Sequence, residues 1–140
     1  MTTSPLIAIV DDDPGVRGSL NSLMRSAGLT PHCFPGGEAL LESGLEDRIA
    51  CIVTDLHMPG MTGLELQAEI VRRGWCNPVI VMTGYPTNAT RDQAFGAGAA
   101  AFLSKPIDPD ALIEAIERAV AKATLHRPHP HSVCPGLERE

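Results

Sequence analysis

Short apolar runs alternate with segments of helical spacing along most of this chain. Leu6 to Val10 is continuously apolar, as expected of a strand buried on both faces. Val16, Leu20, Leu23 and Ala27 then recur at three- and four-residue intervals, which predicts a helix. Gly28 follows as its cap, because glycine enters the left-handed region without steric penalty. Leu29 to Phe34 is a weaker strand. Pro31 within it has no N–H to donate to a ladder, so this strand belongs at a sheet edge or at a bulge. Gly36 and Gly37 break the chain, and Glu38 to Ser43 reads as a short helix.

Ile49 to Thr54 is a second buried strand, ending at Asp55, followed by the turn HMPGMTG. A helix from about Gly63 to Arg73 is closed by Gly74, and Pro78 to Met82 is another apolar strand, ending at Thr83. A loop leads to a poorly amphipathic helix near Ala89 to Ala97, stopped by Gly98. Ala100 to Leu103 is a small-residue strand ending in Ser104-Lys105-Pro106. The last helix runs from about Pro109 to Ala123, with Leu112, Ile113, Ile116 and Val120 on its buried face. Five strand–helix units favour an α/β fold, a five-stranded parallel sheet with helices on both faces. Reactive sites in such sheets lie at the carboxyl ends of the strands. Beyond Thr124 the chain reads LHRPHPHSVCPGLERE, rich in Pro and His and without periodicity. The expected organisation is one domain over residues 1–123 and a disordered tail over 124–140, with no output domain.

Composition narrows the function. A length of 140 residues with 44% hydrophobic content suits one domain with a single core. The formal net charge of -6 argues against direct binding to nucleic-acid phosphates. No apolar run reaches the roughly 18 residues needed to span a bilayer. The N-terminus has no basic segment ahead of its short apolar run, so the expectation is a cytoplasmic protein with no membrane partner. Cys33, Cys51, Cys76 and Cys134 form no CxxC pair and read as four reduced thiols.

The chemistry lies in what stands at the strand ends. The first apolar run ends in Asp11-Asp12, the third in Asp55, the fourth in Thr83 and the fifth in Lys105. In a parallel sheet all of these emerge at one edge. Clustered carboxylates repel and raise one another's pKa unless a hard cation neutralises them. Mg2+ (or Mn2+) prefers oxygen ligands and typically takes one or two carboxylates together with phosphate oxygens. A carboxylate at Asp55 can then act as nucleophile towards a phosphoryl group, with Lys105 pairing a phosphoryl oxygen. Asp13 has a different task. It precedes Pro14, which suits the first helical position, so Asp13 is expected to cap the helix.

The stretches IVDD, VTDLHMPGMTG, VIVMTG and AFLSKP resemble a two-component response-regulator receiver domain, and VTDLHMPGMTGLEL with EAIERA is closest to the FixJ type. The resemblance covers about residues 5 to 123. It implies a flavodoxin-like, CheY-like doubly wound fold with strand order 2-1-3-4-5. By the same resemblance, Asp55 matches the phospho-acceptor. Asp11, Asp12, Asp55 and the backbone carbonyl of His57 match metal ligands. Thr83 and Phe102 match the switch residues, and Lys105 matches the phosphoryl-contacting lysine, with a cis bond to Pro106. His57 and Tyr85 occupy positions that influence the lifetime of the phosphoryl group. The implied partners are a sensor histidine kinase or phosphotransfer protein and a phosphorylation-dependent homodimer through the face of the fourth helix, fifth strand and fifth helix. No steady-state enzyme activity is implied beyond self-phosphotransfer and autodephosphorylation.

Two rival readings share some of these residues. Asp11 and Asp13 satisfy the DxD spacing of haloacid-dehalogenase-like phosphatases, although Gly15 stands where that family usually has Thr or Val, and Asp55 would go unexplained. A degenerate receiver serving as a binding scaffold would lack the acceptor or a metal ligand, and none is missing here. In the tail, His126, His129, His131 and Cys134 have ligand chemistry but no helix or strand to fix their geometry.

Overall fold

The computed structural model describes residues 4–125. Strands and helices alternate throughout: β1 (Leu6–Val10), α1 (Pro14–Ser26), β2 (Thr30–Phe34), α2 (Gly37–Leu41), β3 (Ile49–Asp55), α3 (Gly63–Arg72), β4 (Val79–Thr83), α4 (Asn88–Gly96), β5 (Ala101–Ser104) and α5 (Pro109–Leu125). All pairings are parallel, in the order β2-β1-β3-β4-β5. The strand containing Pro31 is therefore an edge strand, where a missing donor is tolerated.

Strand periodicity explains why helices cover both faces. Ile7 and Ile9 of β1, Cys51 and Val53 of β3, and Ile80 and Met82 of β4 join one buried cluster with Leu20 and Met24 of α1 and Leu112 and Ile116 of α5. Their alternate neighbours Ala8, Val10, Ile52, Val79 and Val81 join a second cluster with α2, α3 and α4. Successive side chains of a strand point to opposite faces, so a strand covered on both sides must be apolar without interruption. Among the helices, α4 is held most loosely: of its residues only Ala94 is buried, in keeping with its weak apolar face. Gln67 of α3 links it to the fold, donating from Nε2 to the Ala94 carbonyl at 3.1 Å.

Two expectations change. The last helix continues to Leu125, so residues 124 and 125 belong to it and not to a tail; its Ala119 is buried along with Leu112 and Ile116, which keeps the amphipathic repeat going. The tail histidines and Cys134 lie outside the described residues. Cys33 and Cys51 are free, but Cys76 is disulfide-bonded, so the chain does not carry four reduced thiols. Pairing depends on approach in space, which sequence spacing does not reveal. Cys51 sits in the core, where burial pushes its thiol up to about 12 and keeps it protonated.

Candidate functional site

Strand register assembles the carboxyl edge. Val10 pairs with Thr54, so Asp11, the next residue, emerges beside Asp55. Asp55 pairs with Met82 and Thr83 pairs with Ser104, so Thr83 follows one step and Lys105 two steps beyond Asp55. Ligand oxygens of Asp11, Asp12 and Asp55 all lie within 4.8 Å of one another. Asp13 stands apart from that cluster: its Oδ1 accepts from the Gly15 N–H at 2.8 Å and caps α1 behind Pro14. Asp11 and Asp12 thus cluster with Asp55 while Asp13 serves the helix, and a DxD site at Asp11 and Asp13 is not favoured.

The two buried acids of the cluster differ in how they are held. Asp11 is fully buried and every polar group it has is engaged. Its N–H donates to the Phe34 carbonyl at 3.2 Å, and its carbonyl accepts from Arg17 Nη1 at 2.8 Å. Its Oδ1 accepts from the Asp13 N–H at 2.9 Å and its Oδ2 from Lys105 Nζ at 3.1 Å. Lys105 Nζ also lies 3.4 Å from Asp55 Oδ2, so one ammonium bridges both acids. Burial, followed by the Asp11 charge, raises the Asp55 carboxyl above the usual carboxylate range, against the pull of Lys105 and of the His57 backbone N–H that donates to it. Burial disfavours the Lys105 charge, but Asp11 and Asp55 outweigh it and leave the ammonium more basic than usual.

Formally, three carboxylates against one ammonium leave two negative charges at the cluster. That excess, the all-oxygen donor set and the exposed Asp12 fit a small divalent cation such as Mg2+. The acidic pocket can therefore hold a metal.

Of the remaining predicted residues, Thr83 and His57 adjoin this cluster, whereas Phe102 packs against the core beside Phe95. Thr83 is fully buried; its hydroxyl accepts from the Tyr85 N–H at 3.0 Å and its carbonyl from the Lys105 N–H at 2.8 Å. The His57 and Tyr85 rings meet edge-on, with centroids 5.8 Å apart and planes at 79°, although they come from different loops. Tyr85 is 75% exposed. Phe102 is half-buried on β5, with the Phe95 ring 6.5 Å away, and the Arg91 guanidinium lies 5.4 Å from the Phe95 centroid. The Lys105–Pro106 bond is cis. Arg17 and Arg91 were not singled out in the sequence. Arg17 lies four residues after the capping Asp13, a full helical turn, and that spacing was the available signal.

A family model for the response regulator receiver domain matches residues 7–117. The chain is similar to the transcriptional regulatory protein FixJ of Azorhizobium caulinodans, 40% identical over 123 residues that cover 88% of this chain and 58% of that protein. It is also similar to nodulation protein W of Bradyrhizobium diazoefficiens, at 34% identity, covering 86% of this chain and 53% of that protein. The chain thus spans little more than half the length of these curated relatives. Among solved structures, FixJ-N superposes with a TM-score of 0.76 at 34% identity, covering 86% of this chain and 96% of that one. The response regulator StyR gives 0.81 at 34% identity, covering 89% and 63%.

Proposed function

Because the chain belongs to the response regulator receiver domain family, we propose that Asp55 accepts a phosphoryl group from the phosphohistidine of a sensor kinase or phosphotransfer protein. What carries this reading is the convergence of three carboxylates and Lys105 at one strand edge. Asp12 and Asp55, with the His57 backbone carbonyl, would hold Mg2+, which when bound screens the approach of a phosphoryl anion to a carboxylate. An Asp55 carboxylate oxygen attacks phosphorus, the P–N bond to the donor imidazole breaks, and an acyl phosphate forms. Lys105 turns from Asp55 to a phosphoryl oxygen while keeping Asp11. The Thr83 hydroxyl accepts from Tyr85 and retains a proton to donate to the same group. Its shift draws the β4–α4 loop inward, and Phe102 moves further into the core. The thin packing of α4 lets that change reach the α4–β5–α5 face at small energetic cost. Receiver domains are signalling modules, and here both transfer to Asp55 and later hydrolysis occur on the chain's own side chain. We place the protein in the cytoplasm, with no nucleic-acid contact of its own at a net charge of -6; among the described residues no helix is long and apolar enough to cross a membrane.

Incubation with a radiolabelled small phosphodonor tests the acceptor. Label should require Mg2+ and vanish in Asp55→Asn; equal labelling of both proteins refutes the assignment. Followed over time, decay of the label should change several-fold in His57→Ala, since that exposed ring stands two residues after Asp55 and meets Tyr85 edge-on. Decay identical to the parent removes the role of His57 in lifetime. Beryllofluoride with Mg2+ should strengthen self-association through the α4–β5–α5 face that carries Arg91 and Phe95, and an unchanged monomer in sedimentation velocity removes that proposal.

A further inference from the structure

We propose that Arg17 is a positioning residue for the metal site, acting through the backbone of Asp11 and not through its charge. This rests on the reading of the acidic cluster as a Mg2+ site. Asp12, the exposed member of the cluster, has no side-chain hydrogen bond or ion pair among the described residues. Where its carboxylate can reach is therefore set by the backbone on either side of it. On one side Asp13 is tied into the first turn of α1, its carbonyl accepting from the Arg17 N–H at 3.0 Å. On the other side Asp11 leaves β1, and its carbonyl is held by Arg17 Nη1 at 2.8 Å. One residue thus grips both flanks of Asp12, by its backbone and by its side chain. Its own carbonyl lies 3.8 Å from Cys33 Sγ on β2, which joins the clamp to the sheet edge.

Charge alone does not account for this arrangement. Among the described residues Arg17 forms no ion pair within 4.0 Å, and its donor is spent on a neutral carbonyl. A guanidinium close to a cation site repels the cation, so a purely electrostatic role predicts that its removal strengthens Mg2+ binding. A positioning role predicts the reverse, because Asp12 must then be ordered at the expense of binding free energy. The two readings differ in sign.

Calorimetric titration of the metal-free protein with Mg2+ decides between them, at a temperature where circular dichroism shows each variant folded. Arg17→Ala should raise the Mg2+ dissociation constant roughly tenfold. Arg17→Lys keeps the charge but offers a single compact ammonium in place of the planar fork, and should recover only part of the loss. Faster hydrogen exchange at the Asp13 amide, which donates to Asp11 Oδ1, should accompany the loss in the absence of metal. Labelling at saturating Mg2+ should return to the parental level. A folded Arg17→Ala variant that binds Mg2+ as tightly as the parent, or more tightly, overturns the proposal. If Arg17→Ala does not fold, Arg17→Lys binding equal to the parent overturns it as well. Absence of Mg2+ binding by the parent protein would instead overturn the metal-site reading beneath it.

Discussion

In the absence of divalent metal at neutral pH, Asp55→Asn is expected to be more stable than the parent protein while losing all phosphoryl labelling. The Asp55 carboxyl is raised above its ordinary value of 3.8 by burial and by the Asp11 charge. A carboxyl whose folded pKa is raised contributes stability that is fully present below the unfolded value. That contribution is lost as pH rises through the folded value. Above the raised value the metal-free parent therefore carries the penalty of an ionised, buried Asp55 beside Asp11. Asparagine keeps the shape, removes the charge, and leaves Lys105 its 3.1 Å bond to Asp11. Urea denaturation in EDTA should give two curves of stability against pH that meet in acid. They should separate as pH climbs from the ordinary carboxylate range through the raised value. Mg2+ should close the gap from the parent's side, by about 2.7 kcal/mol when present at 100 times its dissociation constant. An Asp55→Asn variant less stable than the metal-free parent at pH 7 would contradict this account of the cluster. Opposite signs for activity and stability are the usual mark of a group kept for function.

Gly63→Ala is expected to cost about 3 kcal/mol, the upper part of the range for overpacking a core. A Cβ built at position 63 would lie 2.5 Å from the Asp55 carbonyl oxygen and 2.9 Å from Leu56 Cα. Both are backbone atoms at the end of β3 and cannot turn aside as a side chain does. Gly63 also donates its N–H to the Leu56 carbonyl at 2.9 Å, so α3 begins pressed against the strand end that carries Asp55. A methyl group there must move either the helix or Asp55. Labelling should fall together with the denaturation midpoint. Gly18→Ala is the control with the opposite sign. Gly18 lies within α1, nothing stands within 4 Å of its added Cβ, and alanine favours the helix by roughly 0.5–1 kcal/mol. Equal effects at the two positions would show that close approach at Gly63 does not govern the site.

Much of the architecture was legible because its causes are local. Continuous apolar runs such as Ile7–Val10 and Val79–Met82 announce strands covered on both faces. Asp13 before Pro14 announces a cap, and Pro31 announces an edge strand. Element ends were less so: the last helix ran two residues past its expected stop, since nothing at Ala123 breaks the repeat.

The amino-acid sequence alone therefore determined the alternation of strands and helices and which polar residues stand at the strand ends. Both follow from side-chain periodicity and from backbone limits at Gly and Pro. Tertiary structure decided what those polar residues do to one another. Register brought Asp11 beside Asp55, and Lys105, 94 residues along the chain from Asp11, bridged the two. It also spent every polar group of Asp11 on fixed partners and left Asp12 open, although the two are adjacent and chemically identical. Arg17 entered the site because the first turn of α1 brings its guanidinium back to the Asp11 carbonyl. Electrostatics and hydrogen bonding act over ångströms in space, and no spacing along the chain encodes them.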